Sequence, residues 1–207
     1  MNRNGRLIVL EGGEGGGKST HARHVAAWLK RRGRRVVVTR EPGGSPLAER
    51  IRELVLARGR DAPSALTELL LMFAARAAHL HATILPAINA GKDVVCDRFV
   101  DATYAYQGAG RGVPRAVIDR LAGLVLGSFR PALVLVLDLD PAVGMRRVRS
   151  RGVANRFDDE ALAFQRRVRR EYLRRARAAP RRYAVVDAAR PVGEVWSAIE
   201  RVLEARL

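Results

Sequence analysis

Leu7-Ile8-Val9-Leu10-Glu11-Gly12-Gly13-Glu14-Gly15-Gly16-Gly17-Lys18-Ser19-Thr20 sets an apolar run, a glycine-rich turn and a helix start in immediate succession. Residues 12–19 match G-x-x-x-x-G-K-[ST] in the strand–loop–helix context that this motif requires. Glycine lets consecutive backbone amides curl around a di- or triphosphate, and the helix N-terminus that follows adds a field favourable to anions. Lys18 then places a point charge on the outer phosphates, and Ser19 offers a hydroxyl to Mg²⁺.

Outward from this motif, apolar runs at Leu7–Leu10, Arg35–Thr39, Asp93–Asp97, Ala132–Leu137 and Tyr183–Asp187 alternate with segments of helical period. That alternation is the pattern of a parallel sheet wrapped by crossover helices. Val25, Ala26 and Leu29 mark the face of a first helix that stops before Gly33, and Leu47, Ile51, Leu54 and Val55 mark a second. Ser64 to about Ala90 reads as two helices or as one bent near Pro86. A further helix spans Val113–Leu126, and Asp140-Pro141 opens the next. After a break at Gly152, an arginine-rich helix runs from about Asp158 to Ala178, and a last one carries Val192, Val195, Ile199, Val202 and Leu203. The expected fold is α/β, of the P-loop NTPase type: three layers, a five-stranded parallel sheet flanked by helices, in a single domain over 1–207.

Composition agrees. The 207 residues are 48% hydrophobic, enough for one sizeable core, and Gly 19 with Pro 9 is too little for a low-complexity chain. The formal charge of +17 attracts anions, but only Lys18, Lys30 and Lys92 are lysines and the other 35 basic residues are arginines spread along the chain. No fold-specific nucleic-acid signature accompanies that charge, so no specific nucleic-acid partner is expected. A lone cysteine, Cys96, excludes an intramolecular disulfide and a cysteine-cluster zinc site. Neither a signal-peptide pattern nor a membrane-spanning run is read, which points to the cytoplasm and to no membrane partner.

Asp97-Arg98 closes the third strand at the edge where open parallel sheets bind ligands, offering a carboxylate to hydrated Mg²⁺ and a guanidinium to a phosphate. Asp138, after Leu133–Leu137, is a rival metal-site carboxylate. Arg40-Glu41-Pro42-Gly43-Gly44 and the stretch DATYAYQGAGRG at 101–112 read as loops at the same edge.

On these motifs the chain resembles the thymidylate kinases of bacteria. The resemblance runs end to end: the phosphate loop, REPGG at Arg40–Gly44, FAAR at Phe73–Arg76, DRF at Asp97–Phe99, AYQG with its following RG at Ala105–Gly112, FRP at Phe129–Pro131, LDLDP at Leu137–Pro141, and a lid with RG…R at Arg151–Arg156. It implies phosphorylation of dTMP to dTDP with ATP and Mg²⁺, in dTTP synthesis, by a homodimer with a lid at about 149–157. ATP would sit on Gly12, Gly13, Glu14, Gly15, Gly16, Gly17, Lys18, Ser19 and Thr20. Glu14 matches the residue that meets the deoxyribose 3′-hydroxyl, and Arg40, Arg52 and Arg98 match those around the acceptor phosphate. Asp97 and Glu41 match acidic residues near the magnesium, with Ser19 and Asp97 as its holders, partly through water. Arg76, Thr103 and Gln107 match the residues that address the thymine edge, and Tyr106 the ring that disfavours a 2′-hydroxyl.

Two positions depart from the family pattern. Where a phenylalanine often stacks on thymine, four residues before the base-contacting arginine, stands Met72, with Phe73 beside it; both share the helical face of Arg76, so either can stack. Gly15 replaces a phosphate-loop arginine of another branch, so the transition-state cation is expected from the lid, Arg151 first, then Arg149 and Arg156. Phosphoryl transfer to a phosphate needs alignment and positive charge rather than a general base. His21, His24, His79 and His81 are accordingly read as structural or solvent-facing, and no transition-metal site is expected. Rival readings are a deoxynucleoside kinase, for which Glu41 would supply the base, another nucleoside-monophosphate kinase, and a nucleotide-dependent switch. The absence of N-K-x-D disfavours a GTP switch.

Overall fold

The computed structural model describes residues 5–57, 63–150, 157 and 160–207. Arg151, Gly152 and Arg156 lie outside the described residues, as does most of the expected lid.

Five strands form one parallel sheet in the order β2-β3-β1-β4-β5: β1 Leu7–Glu11, β2 Val36–Arg40, β3 Asp93–Asp97, β4 Leu133–Asp138 and β5 Tyr183–Asp187. Three strands extend one residue beyond their apolar runs, because Glu11, Arg40 and Asp138 still pair in the ladder before the chain leaves it. Side chains alternate between two faces. Leu7, Val9, Val94, Cys96, Val134 and Val136 face one core, and Ile8, Leu10, Val95, Leu133, Leu135 and Leu137 face the other. The second core is closed by α1 (Lys18–Arg31) and α9 (Val192–Arg206) through Val25, Leu29, Ile199 and Leu203.

The first core is closed by α3 (Ala65–His79), α6 (Arg115–Leu126) and α8 (Leu162–Ala178). The chain before α3 forms α2 (Pro46–Leu56), capped by Ser45, whose side chain accepts from the Ala48 N–H. After α3 comes a π-helical turn, Leu80–Ile84, and then α4, Leu85–Asn89. Pro86 has no N–H for the Ala82 carbonyl, and the turn before it is widened so that the Leu85 N–H reaches Leu80 O. By length and composition the helical stretch Ala65–Asn89 is long and apolar enough to cross a membrane. Its apolarity serves the core, where Leu69, Met72, Phe73 and Ile84 are buried alongside Glu68, Arg76 and His79.

The segment read as a loop at 101–112 is mostly helical: α5 (Val100–Thr103) runs into a π-helical turn, Tyr104–Gly110. Its glycines hid this, but they serve close packing. A Cβ on Gly110 would lie 2.5 Å from Phe164 of α8, and one on Gly108 would lie 3.1 Å from Ile118 of α6. Asp140 caps α7 (Pro141–Arg149), accepting from the Ala142 N–H at 2.9 Å, and α8 starts at Leu162 rather than near Asp158.

Candidate active site

β1 and β3 are neighbours at the centre of the sheet, so the loops that follow them open onto the same edge. There the chain encloses a cavity of about 560 Å³, floored by residues 14–20. Gly17 takes a φ of 80°, a left-handed conformation that glycine adopts without strain, and this turns the loop into α1. Lys18 is buried, its Nζ donating to Gly13 O at 2.7 Å. Burial, then the nearby Arg98, pull the Lys18 ammonium below its ordinary range, a cost that a bound phosphate offsets. Ser19 Oγ donates to Asp97 Oδ2 at 2.6 Å.

Arg40, Arg52, Asp97 and Arg98 line the cavity with the loop, Asp97 and Arg98 in direct contact with it. Arg52 Nη1 is braced on Pro42 O at 2.7 Å, and burial, then Arg40, lower its pKa. Arg98 meets Glu14 Oε1 at 2.6 Å and Tyr106 OH at 3.0 Å through Nη2, and Gly12 O at 3.0 Å and Tyr172 OH at 3.1 Å through Nη1. Burial opposes the Arg98 charge, but Glu14 foremost, then Tyr106, Tyr172 and Asp97, outweigh it and hold the guanidinium well above its ordinary range.

The far end of the cavity is lined by Leu56, Met72, Ala102, Tyr106 and Gln107. Met72 lines it and Phe73 does not; Phe73 packs behind, its ring 5.1 Å from the Arg76 guanidinium carbon. Arg76 and Thr103 lie just behind the lining, fully buried. Arg76 donates from Nε to Glu41 Oε2 at 2.8 Å and from Nη2 to Phe99 O at 3.1 Å, and Gln107 donates to Glu68 Oε1 at 2.5 Å. Arg76 Nη1, Thr103 Oγ1 and Gln107 Oε1 have no hydrogen-bond partner although buried. Such atoms are costly unless something polar reaches them.

Of the residues singled out from sequence, Glu14 to Thr20, Arg40, Glu41, Arg52, Met72, Asp97, Arg98, Tyr106 and Gln107 meet around this cavity. Gly12 and Gly13 turn their carbonyls to Arg98 and Lys18. Arg149 is exposed at the end of α7 and does not line the cavity. Glu41, expected beside the magnesium, gives one oxygen to Arg76 and the other to His79 Nδ1 at 3.1 Å, because α3 carries both partners against the REPGG turn. Asp138, the rival metal carboxylate, is gripped by Arg169 Nε at 2.7 Å and Nη2 at 2.9 Å. Sequence reasoning missed the lining residues Leu56, Val148 and Phe157, and the buried pair Glu11 and Tyr172. An acidic residue closing an otherwise apolar strand was the available signal for Glu11; Tyr172 carried none.

A phosphate loop at the end of a central parallel strand, facing arginines across one cavity, defines a nucleotide-dependent phosphotransferase of the P-loop class. The thymidylate kinase family model matches residues 10–199, and the chain belongs to that family. It is 53% identical over 199 residues to a thymidylate kinase of Pseudomonas savastanoi pv. phaseolicola, covering 96% of this chain and 95% of the relative. It is 47% identical over 203 residues to one from Teredinibacter turnerae, at 98% and 99% coverage. The crystal structure of thymidylate kinase from Ehrlichia chaffeensis superposes with a TM-score of 0.79 at 30% identity, covering 97% of this chain and 99% of that one.

Proposed function

We propose that this ATP-dependent phosphotransferase moves the γ-phosphoryl group of ATP to dTMP, giving ADP and dTDP, within one domain whose lid spans about 149–157. The observation that carries the reading is the pairing of two ends of one cavity. One end has Lys18 and the loop amides facing Arg40, Arg52 and Arg98; the other has buried, unpartnered polar atoms on Arg76, Thr103 and Gln107. The first suits two facing phosphates, and the second suits the donor and acceptor edge of a pyrimidine. Met72 supplies the apolar surface for the ring, Glu14 meets the 3′-hydroxyl, and Tyr106 crowds the 2′ position.

The acceptor phosphate is already an anionic nucleophile, so the residues have to align it and spread positive charge over the moving group. Lys18 and Arg98 serve that end, with Arg151 first and Arg156 next among the arginines of the proposed lid; Arg149, exposed and outside the cavity lining, is set aside. Ser19 and Asp97 fit Mg²⁺: a hydroxyl and a carboxylate 2.6 Å apart are the hard oxygen donors this ion takes while keeping waters. Bound there, the ion neutralises charge on the outer phosphates of ATP. Glu41, engaged by Arg76 and His79, acts as their support; this speaks against a base for a hydroxyl acceptor and hence against a deoxynucleoside kinase. The protein works in the cytoplasm as a homodimer, whose contact is supported by exposed Leu54, Leu66, Leu70 and Leu124 on α2, α3 and α6.

A coupled ADP-release assay with ATP and Mg²⁺ tests this, comparing dTMP with thymidine, AMP and no acceptor. Turnover confined to dTMP is expected. Preference for thymidine, or equal hydrolysis without an acceptor, would refute the reading.

A further inference from the structure

Arg98 has the one positive φ, 71°, among the non-glycine residues described. A side chain in that region is held there by its surroundings. Two of its three side-chain partners, Glu14 and Tyr106, line the cavity, and in the reading proposed above both turn to the sugar of the acceptor nucleotide. The third, Tyr172, does not line it: it is 2% exposed, at the middle of α8.

The Tyr172 hydroxyl accepts from Arg98 Nη1 at 3.1 Å and donates to Glu11 Oε2 at 2.9 Å. Glu11, at the end of β1 and fully buried, uses its other oxygen to accept from the Phe99 N–H at 2.8 Å and the Ala102 N–H at 3.3 Å. One carboxyl group therefore holds Arg98 from two sides, through the peptide that follows it and through Tyr172 at the tip of its side chain. From the charged guanidinium the chain runs through the Tyr172 hydroxyl to Glu11, whose carboxyl burial, then Asp101, push up to about 8.

We propose that Tyr172 is a positioning residue for the transfer reaction, holding the Arg98 guanidinium at the acceptor phosphate by way of Glu11 while Glu14 and Tyr106 are occupied by substrate. The proposal rests on the reading of Arg98 as an acceptor-phosphate arginine. Replacing the hydroxyl by hydrogen leaves the ring in place, removes one of the two acceptors of Arg98 Nη1 while Gly12 O stays at 3.0 Å, and removes the Tyr172 partner of Glu11 Oε2, so the guanidinium loses its anchor on the α8 side.

The test is a double-mutant cycle between Tyr172→Phe and Arg98→Ala, read as kcat/KM for dTMP, with melting temperature and the KM for ATP as controls. Tyr172→Phe alone is expected to lower kcat/KM about 10-fold, the scale of one charge-assisted hydrogen bond, with the KM for ATP within about twofold. In the Arg98→Ala background the same change is expected to cost nothing further. Glu11→Gln, which keeps an acceptor for Phe99 and Ala102 but meets Tyr172 with an amide, provides a second cycle with the same expectation should Tyr172→Phe fold poorly. Equal losses in both backgrounds, or no loss in the wild-type background, would overturn the proposal while leaving Arg98 in its role. Wild-type kcat/KM in Arg98→Ala would overturn the reading of Arg98 and the proposal together.

Discussion

Ser19 Oγ donates a 2.6 Å hydrogen bond to Asp97 Oδ2, joining the first turn of α1 to the end of β3 across the mouth of the phosphate loop. The two residues lie 78 positions apart, brought together because β3 is the direct ladder neighbour of β1. The Asp97 carboxylate thus stands beside the loop, at the place proposed above for Mg²⁺.

Asp97→Asn keeps the hydrogen-bonding shape and removes the charge. The Mg²⁺ concentration for half-maximal rate should rise by about 10-fold or more, and chelation should abolish turnover in the parent protein. A titration of rate against Mg²⁺ checks this; an unchanged midpoint would remove Asp97 from the metal site.

Lys18→Met should lower kcat by about 10²–10³, the scale for losing one preorganised cation at a developing charge. Calorimetric affinity for dTMP should stay within about twofold if Lys18 serves the donor phosphates, as proposed, since Met72 and Gln107 line the far end of the cavity. A matching loss of dTMP affinity would mean that the loop collapses without its lysine.

Met72 and Phe73 should separate in their effect on dTMP. Met72→Ala removes the surface facing the cavity and should raise the KM for dTMP about 5- to 10-fold, together with a stability cost of about 2 kcal/mol for a core methionine. Phe73→Ala removes a buried ring packed beside Arg76 and should cost about 3–5 kcal/mol of stability. If Phe73→Leu raised the KM more than Met72→Ala does, the stacking assignment would be reversed.

His21 is buried on α1, and burial, then His24, hold its pKa at about 4 against an ordinary 6.5. Between those values the native state binds fewer protons than the unfolded one. The stability from the neutral ring is therefore complete above pH 6.5 and is lost as pH falls through about 4. Urea unfolding of the parent protein should weaken from pH 7 toward pH 4, and His21→Gln should remove about 1–3 kcal/mol of that loss. Identical slopes in the two proteins would exclude His21 as a contributor.

Much of the fold was legible because its signals are local. The apolar runs named all five strands to within a residue at each end, and the loop-plus-lysine motif located one end of the cavity. The segment at 101–112 was not legible. Two glycines in AYQGAG are the mark of a loop in isolation, and only the approach of Phe164 and Ile118 makes them the residues that let a helical turn pack closely. REPGG was recognised, but the direction of its carboxylate was not, since Arg76 and His79 lie on another helix.

By itself the sequence determined the strand–loop–helix unit, the parallel α/β class and the chemical types that surround a phosphate, since each follows from side-chain periodicity and from backbone freedom at neighbouring positions. Tertiary structure alone decided which of Met72 and Phe73 meets the cavity, which carboxylate stands by Ser19, and that Tyr172 reaches Arg98. Adjacent residues on a helix share a face, so the choice between them is made by how α3 is rotated against the sheet. The carboxylates and Tyr172 are assigned by strand order and by the seating of α8. Those are global packing solutions, set by two cores filling at once on either side of one sheet, and no local window of residues encodes them.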